Sequence, residues 1–68
     1  MHTNEFERDG VSVIEKYMTY AECEQIYGTS NIQILNMEFQ EDAKRATDGN
    51  CDQWAMYGNG GITIVTEC

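Results

Sequence analysis

Twelve aspartate and glutamate side chains are the chemically active groups that this 68-residue sequence holds in quantity. Glu5, Glu7 and Asp9 alternate, so an extended backbone would project them to one side at intervals of about 6.6 Å. Phosphates along a nucleic-acid strand repeat at a similar separation, the axial rise alone being about 3.4 Å per nucleotide. Glu22 and Glu24 fall on the solvent side of an expected helix, and Glu38, Glu41 and Asp42 cluster near the end of an expected strand. Carboxylates spaced in this way can oppose the lysines and arginines of a partner as phosphates do. For any one cluster the plainer account is a solvated face that keeps a small protein soluble. The total favours recognition: 12 acidic residues against 4 Lys and Arg leave a formal charge of −8 and a pI near 4.2.

Nucleophiles and metal ligands are sparse by comparison. Cys23, Cys51 and Cys68 are an odd number with no C-x-x-C pair, unlike the even sets of small secreted disulfide frameworks. Three reduced thiols are the expectation, one or two of them buried as small hydrophobes. His2 is the only histidine and lies outside any rigid frame, so neither a Cys-His nor a Ser-His pair can be assembled. Four convergent zinc ligands cannot be drawn from one histidine and three scattered cysteines. Asp48, Asn50 and Asp52 open like a calcium loop, but its sixth position is Gln53 rather than glycine and its twelfth is Asn59 rather than a bidentate glutamate. The glycines at Gly58, Gly60 and Gly61 do not lead a strand into a helix, so no phosphate loop is implied. A chain this small also has little concave volume in which to raise a carboxyl pKa for acid–base work. The expectation is a non-enzyme without cofactor or metal.

Whatever these groups do, one domain (1–68) must position them, and a chain of this length buries only about 60% of its unfolded surface. Residues 1–10 read as a mobile arm or a short edge strand ending in the turn-favouring Asp9-Gly10. From Val11 to Tyr17 the residues are mostly β-branched or aromatic, which suits a strand; Ser12 and Glu15 have capping-box spacing and offer a competing helix start. Thr19 and Glu22 form a T-x-x-E capping box, with Met18 and Cys23 placed as a hydrophobic staple. Tyr20, Cys23, Ile26 and Tyr27 then share one arc at the helical period, and Gly28 supplies a left-handed terminus, so a two-turn helix is expected over Tyr20 to Tyr27. Asn31 to Phe39 is apolar on both faces at its centre and reads as a central strand with a bulge near Leu35. Gln40 to Thr47 has acids first and Lys44-Arg45 late, which fits a short surface helix or a polar loop.

The last third reads as a hairpin. Cys51 to Tyr57 and Ile62 to Glu67 flank G-N-G-G, where Asn59-Gly60 can form a type I′ turn. That register sets Tyr57 against Ile62, Ala55 against Ile64, Trp54 against Val65 and Cys51 against Cys68. The cysteines fall on a non-hydrogen-bonded site, where Cα atoms approach to about 4.5 Å and oxidation would link them, leaving Cys23 out.

The expected fold is therefore α+β: a small, mainly antiparallel sheet of three to four strands with one packed helix, in the order β-α-β-(α)-β-β. No run reaches the roughly 18 apolar residues of a membrane span, and the first residues lack the basic-then-apolar layout of a signal peptide, so a cytoplasmic location is expected. The charge argues against nucleic acid or anionic membranes as direct ligands and for a basic partner. The leading expectation is a small acidic protein that occupies the basic, nucleic-acid-binding surface of another protein. In size and charge this is the class of phage-encoded DNA mimics, anti-restriction proteins and anti-CRISPR inhibitors, acting in the host cytoplasm. Two alternatives stand beside it: a homodimer or accessory module through the Trp54/Met56/Val65 face, and a calcium-dependent module on Asp48, Asn50 and Asp52.

Overall fold

Asp9 and Gly10 take positive φ, 52° and 80°, and join β1 (His2–Arg8) to β2 (Val11–Met18) through a two-residue turn that matches the twist of the strands it connects. The computed structural model describes residues 1–58 and 60–68, and in it the first ten residues are an edge strand and its turn rather than an arm. Antiparallel pairing runs from His2 opposite Tyr17 to Arg8 opposite Val11.

Helix α1 (Tyr20–Tyr27) begins and ends where its local signals place it. Glu22 donates its N–H to the Thr19 hydroxyl at 3.1 Å, and the Glu22 carboxylate accepts the Thr19 N–H at 2.9 Å, so both halves of the capping box are present. Met18 and Cys23 meet in the core, and Gly28 closes the helix in the left-handed conformation. Of the expected stripe, Cys23 is buried and Tyr27 half-buried, whereas Tyr20 and Ile26 are exposed.

The strand expected over Asn31 to Phe39 is corrected: those residues are the first half of α2 (Ile32–Thr47), and Gln40 to Thr47 are its second half. Asn31 is the N-cap, its side-chain oxygen accepting the N–H groups of Gln33 and Ile34 at 2.9 and 3.3 Å. The inward stripe is Ile32, Leu35, Phe39 and Ala43 at spacings of three and four, with Leu35 and Phe39 buried and the other two half-buried. Ile34 and Met37, whose apolar side chains made the segment look like a two-faced strand, are exposed on the outer side of the helix.

β3 (Asp52–Gly58) and β4 (Gly61–Glu67) form the expected hairpin in the expected register, with Trp54 opposite Val65, Ala55 opposite Ile64 and Tyr57 opposite Ile62. Gly60 has the positive φ of a I′ turn; its companion Asn59, with the calcium-loop position it would fill, lies outside the described residues. β4 also pairs with β2, giving one four-stranded antiparallel sheet in the order β1-β2-β4-β3. The central strands are thus β2 and β4. Gly61 has to be glycine, because a Cβ there would run into the Met18 carbonyl oxygen of β2.

Both helices lie on one side of the sheet. Cys23, Leu35 and Phe39 pack against Met18, Ala55, Ile62 and Ile64, and Tyr27 meets Phe39 edge to face at 5.1 Å. Asn36 fastens α2 to the rim of β3: its Nδ2 donates to the Ala55 carbonyl at 3.1 Å and its Oδ1 accepts the Ala55 N–H at 2.6 Å. Ala55 sits at a non-hydrogen-bonded site of the hairpin, so these two groups point away from β4 and would otherwise form an open edge. Thr47 ties the far end of α2 to the start of β3, donating to the Ala43 carbonyl and accepting the Cys51 N–H.

Candidate functional site

Period-two alternation along the strands divides the carboxylates between the two sides of the sheet. Glu5 and Glu7 share the helix-bearing side of β1 and are exposed, as the alternating pattern requires. Asp9 leaves that row, because it occupies the turn with φ 52°. The one-sided triad expected of an extended arm is therefore a pair plus a turn residue.

Glu22 and Glu24 project from α1, but Glu22 is engaged within the chain. One of its carboxylate oxygens accepts the Thr19 N–H, and the other lies 3.0 Å from the Met1 ammonium. The backbone hydrogen bond from Thr19, then the ammonium, holds the Glu22 carboxyl below the usual carboxylate range. Glu24 accepts a hydrogen bond from the Ser30 hydroxyl at 2.9 Å and stays exposed. Glu38, Glu41 and Asp42 do not gather at the end of a strand, because the strand they were assigned to is α2. They occupy exposed positions at the i, i+3 and i+4 spacing of that helix. Met37, 73% exposed, and Ile34, 46% exposed, share the face with Glu38 and Glu41. Asp42 is 4.0 Å from the Arg45 guanidinium. With the Met1–Glu22 contact, this is one of two ion pairs among the described residues.

Among the described residues no helix lies on the opposite side of the sheet. Its residues include His2, Asn4, Phe6 and Arg8 of β1, Val13, Glu15 and Tyr17 of β2, Thr63, Val65 and Glu67 of β4, and Asp52, Trp54 and Met56 of β3. Val65 is 4% exposed and Val13 2%, although no other element covers them; their cross-strand neighbours Trp54 and Phe6 are large enough to shelter them. Tyr17 donates its hydroxyl to Glu15 at 2.7 Å, and this bond, with desolvation, pushes the Tyr17 phenol above its ordinary value. The Arg8 guanidinium lies over the Phe6 ring, 5.4 Å from its centroid. Sequence reasoning passed over Glu15 as a strand residue; the sign that could have found it is a lone acid among β-branched and aromatic neighbours, on the side of β2 that carries Val13 and Tyr17.

Cys51 and Cys68 are joined by a disulfide with Cα atoms 4.3 Å apart, which corrects the expectation of three reduced thiols. Cys23 alone is free; burial pushes its thiol above the ordinary value, and its Sγ faces the Thr29 carbonyl at 3.4 Å. Two open clefts of about 340 Å³ flank the sheet, one between Met1, Glu22 and Gly60, the other between Asp42, Thr47 and the disulfide. Among the described residues no three His, Cys, Asp or Glu side chains are arranged to hold a metal ion. Asp48 is the left-handed cap of α2. Among the described residues no helix is long and apolar enough to cross a membrane.

The chain matches no family model, no curated protein and no solved structure.

Proposed function

We propose that this is a small acidic binding protein that occupies a basic, nucleic-acid-binding surface of a partner protein and blocks it. The observation that carries the reading is the lack of internal neutralisation. Among the described residues only Glu22 and Asp42 lie within 4.0 Å of a cationic group, so ten of the 12 carboxylates (12 minus 2) make no ion pair within their own chain. A field left uncompensated in this way reaches outward and raises the rate at which a basic surface is met. Glu38, Glu41 and Asp42 on α2, with Glu5 and Glu7 on β1, are the strongest members of the array. Glu24 and Asp9 stand at its margins, and Glu22 is the weakest, because its charge already serves the cap of α1.

The protein acts by binding, with no catalytic step, cofactor or metal, and without touching nucleic acid or membrane itself. The class that fits is the phage-encoded inhibitor of host defence, anti-restriction or anti-CRISPR, working in the host cytoplasm. That compartment would favour the thiol forms of Cys51 and Cys68, with the bridge belonging to oxidising conditions. Association of two copies through Trp54, Met56 and Val65 has less support, because it would set Glu15, Asp52 and Glu67 of the same face against their equivalents.

The test is competition. Added to a DNA-binding nuclease or CRISPR effector complex holding labelled nucleic acid, the chain should displace the label, and the Glu38→Gln, Glu41→Gln, Asp42→Asn triple variant should displace it less. A partner that holds the chain and its nucleic acid together would end the reading.

A further inference from the structure

The uncovered side of the sheet combines features that a merely solvated surface has no need of. Glu15 is half-buried at its middle, between Val13 and Tyr17 along β2 and opposite Val65 of β4. Its carboxylate accepts the Tyr17 hydroxyl, which fixes its direction, and among the described residues it makes no ion pair. Among the described residues no lysine or arginine pairs with it, and His2, on the same face, stacks on Tyr17 with ring centroids 5.7 Å apart. Lys16 points to the other side of the sheet, Lys44 and Arg45 ride on α2, and Arg8 is held over Phe6 at the far end of β1.

Trp54 lies in the same cross-strand row, with Val65 between it and Glu15. Two strand spacings set the backbones of Trp54 and Glu15 roughly 10 Å apart. A flat cation set midway between the two would therefore be within about 5 Å of both the carboxylate and the indole, inside the range of a charge-assisted contact and of a cation–π contact. Asp52 and Glu67 stand one row away on the same side and add negative potential. Arg8 over Phe6 shows that a guanidinium already rests on an aromatic ring of this face.

We propose that the uncovered sheet face is a docking surface for an arginine side chain of the basic partner, seated between the carboxylate of Glu15 and the indole of Trp54. This rests on the acidic-inhibitor reading and names the contact that reading lacks: a place where charge is joined to aromatic area, as in the anchors that dominate protein interfaces. Arginine suits the site better than lysine, because its planar fork pairs with a carboxylate and stacks on a ring at once. A second copy suits it poorly, since stacking two such faces would set Glu15, Asp52 and Glu67 against their equivalents with only Arg8 to offset them.

Trp54 is the only tryptophan, so its fluorescence reports this face alone. The experiment titrates blocked hexa-arginine and hexa-lysine peptides into the intact, disulfide-bonded chain at about 50 mM salt, where exposed charges are weakly screened. Backbone amide shifts are followed in parallel. Hexa-arginine should change the Trp54 emission and shift the amides of Glu15, Tyr17 and Val65, and hexa-lysine of equal charge should bind several-fold more weakly. Glu15→Gln should weaken hexa-arginine by about tenfold and remove the preference for arginine. The α2 triple variant should instead weaken both peptides alike. The wild-type shift map stands even if Glu15→Gln fails to fold, and Tyr17→Phe, which frees the carboxylate without removing it, gives a smaller loss in the same direction. Shifts confined to α2 with Trp54 silent, or equal binding of the two peptides, overturn the docking surface and leave the acidic reading intact. Broadening of the same amides with protein concentration alone makes a second copy the occupant and likewise overturns it. No binding of either peptide overturns both readings.

Discussion

Thr19, Glu22 and Asn36 are polar side chains whose work is to complete hydrogen bonds the backbone leaves open. Thr19→Ala removes the acceptor for the Glu22 N–H and should cost about 1 kcal/mol, which in a domain of this size lowers Tm by roughly 4–8 °C; calorimetry is the check. Ser12→Ala, in a strand with no cap to lose, should leave Tm nearly unchanged. Glu22 adds a pH signature. Its carboxyl is held below the ordinary value in the folded chain, so its contribution is complete above the unfolded pKa and is lost as pH falls through the folded one. The stability gap between wild type and Glu22→Gln should close over that acid window; a gap independent of pH would mean that the amide and carboxylate cap equally. Asn36 does for the rim of β3 what a fifth strand would do. Asn36→Ala strips partners from both backbone groups of Ala55 and should cost about 2 kcal/mol. Hydrogen exchange should place the loss at Ala55 rather than over the whole sheet.

At the scale of elements, what could be read from the sequence was whatever is decided within a few residues. The capping box, the staple and Gly28 bounded α1 to the residue, because each is an interaction across one turn. The hairpin register followed from turn chemistry and set Cys51 opposite Cys68 before any coordinates did. α2 was misjudged because Ile32, Ile34, Leu35, Met37 and Phe39 exceed its buried stripe; only the packing of Leu35 and Phe39 on β3 and β4 separates core from surface among them. Asn31, which caps α2, was the local signal passed over. The site was legible in part: the acids were found and their exposure was right in general, but the covering of only one side of the sheet is a tertiary fact. The disulfide yields a prediction of its own. It closes a loop across a sequence separation of 17, so the Cys51→Ser, Cys68→Ser variant should lose up to about 3 kcal/mol. The native chain should melt lower in reductant by a matching amount. Buried Cys23 should resist alkylation until the chain unfolds.

Taken whole, the molecule carries a charge of −8 that its own cations barely offset. Like charges oppose compaction, so Glu38→Gln with Glu41→Gln should raise Tm slightly while weakening partner binding, chiefly through slower association. Between 50 and 500 mM salt the Debye length falls from about 14 to about 4 Å. Wild-type affinity should fall steeply over that range, and the neutralised variants less. A complex indifferent to salt and to these substitutions would remove charge from the account of binding.

The sheet order has a consequence in time. β4 follows the other three strands in the chain yet lies between β2 and β3, and it is the only strand that pairs with both. As the polypeptide leaves the ribosome, the first hairpin and the α2–β3 unit appear before the strand that joins them. Until β4 emerges, β2 and β3 each wait with a bare edge, the condition in which nascent chains pair with the wrong neighbour. Glu5, Glu7, Glu15, Glu38, Glu41 and Asp42 have all been translated by then, and their mutual repulsion keeps two unfinished copies apart until the keystone strand is made.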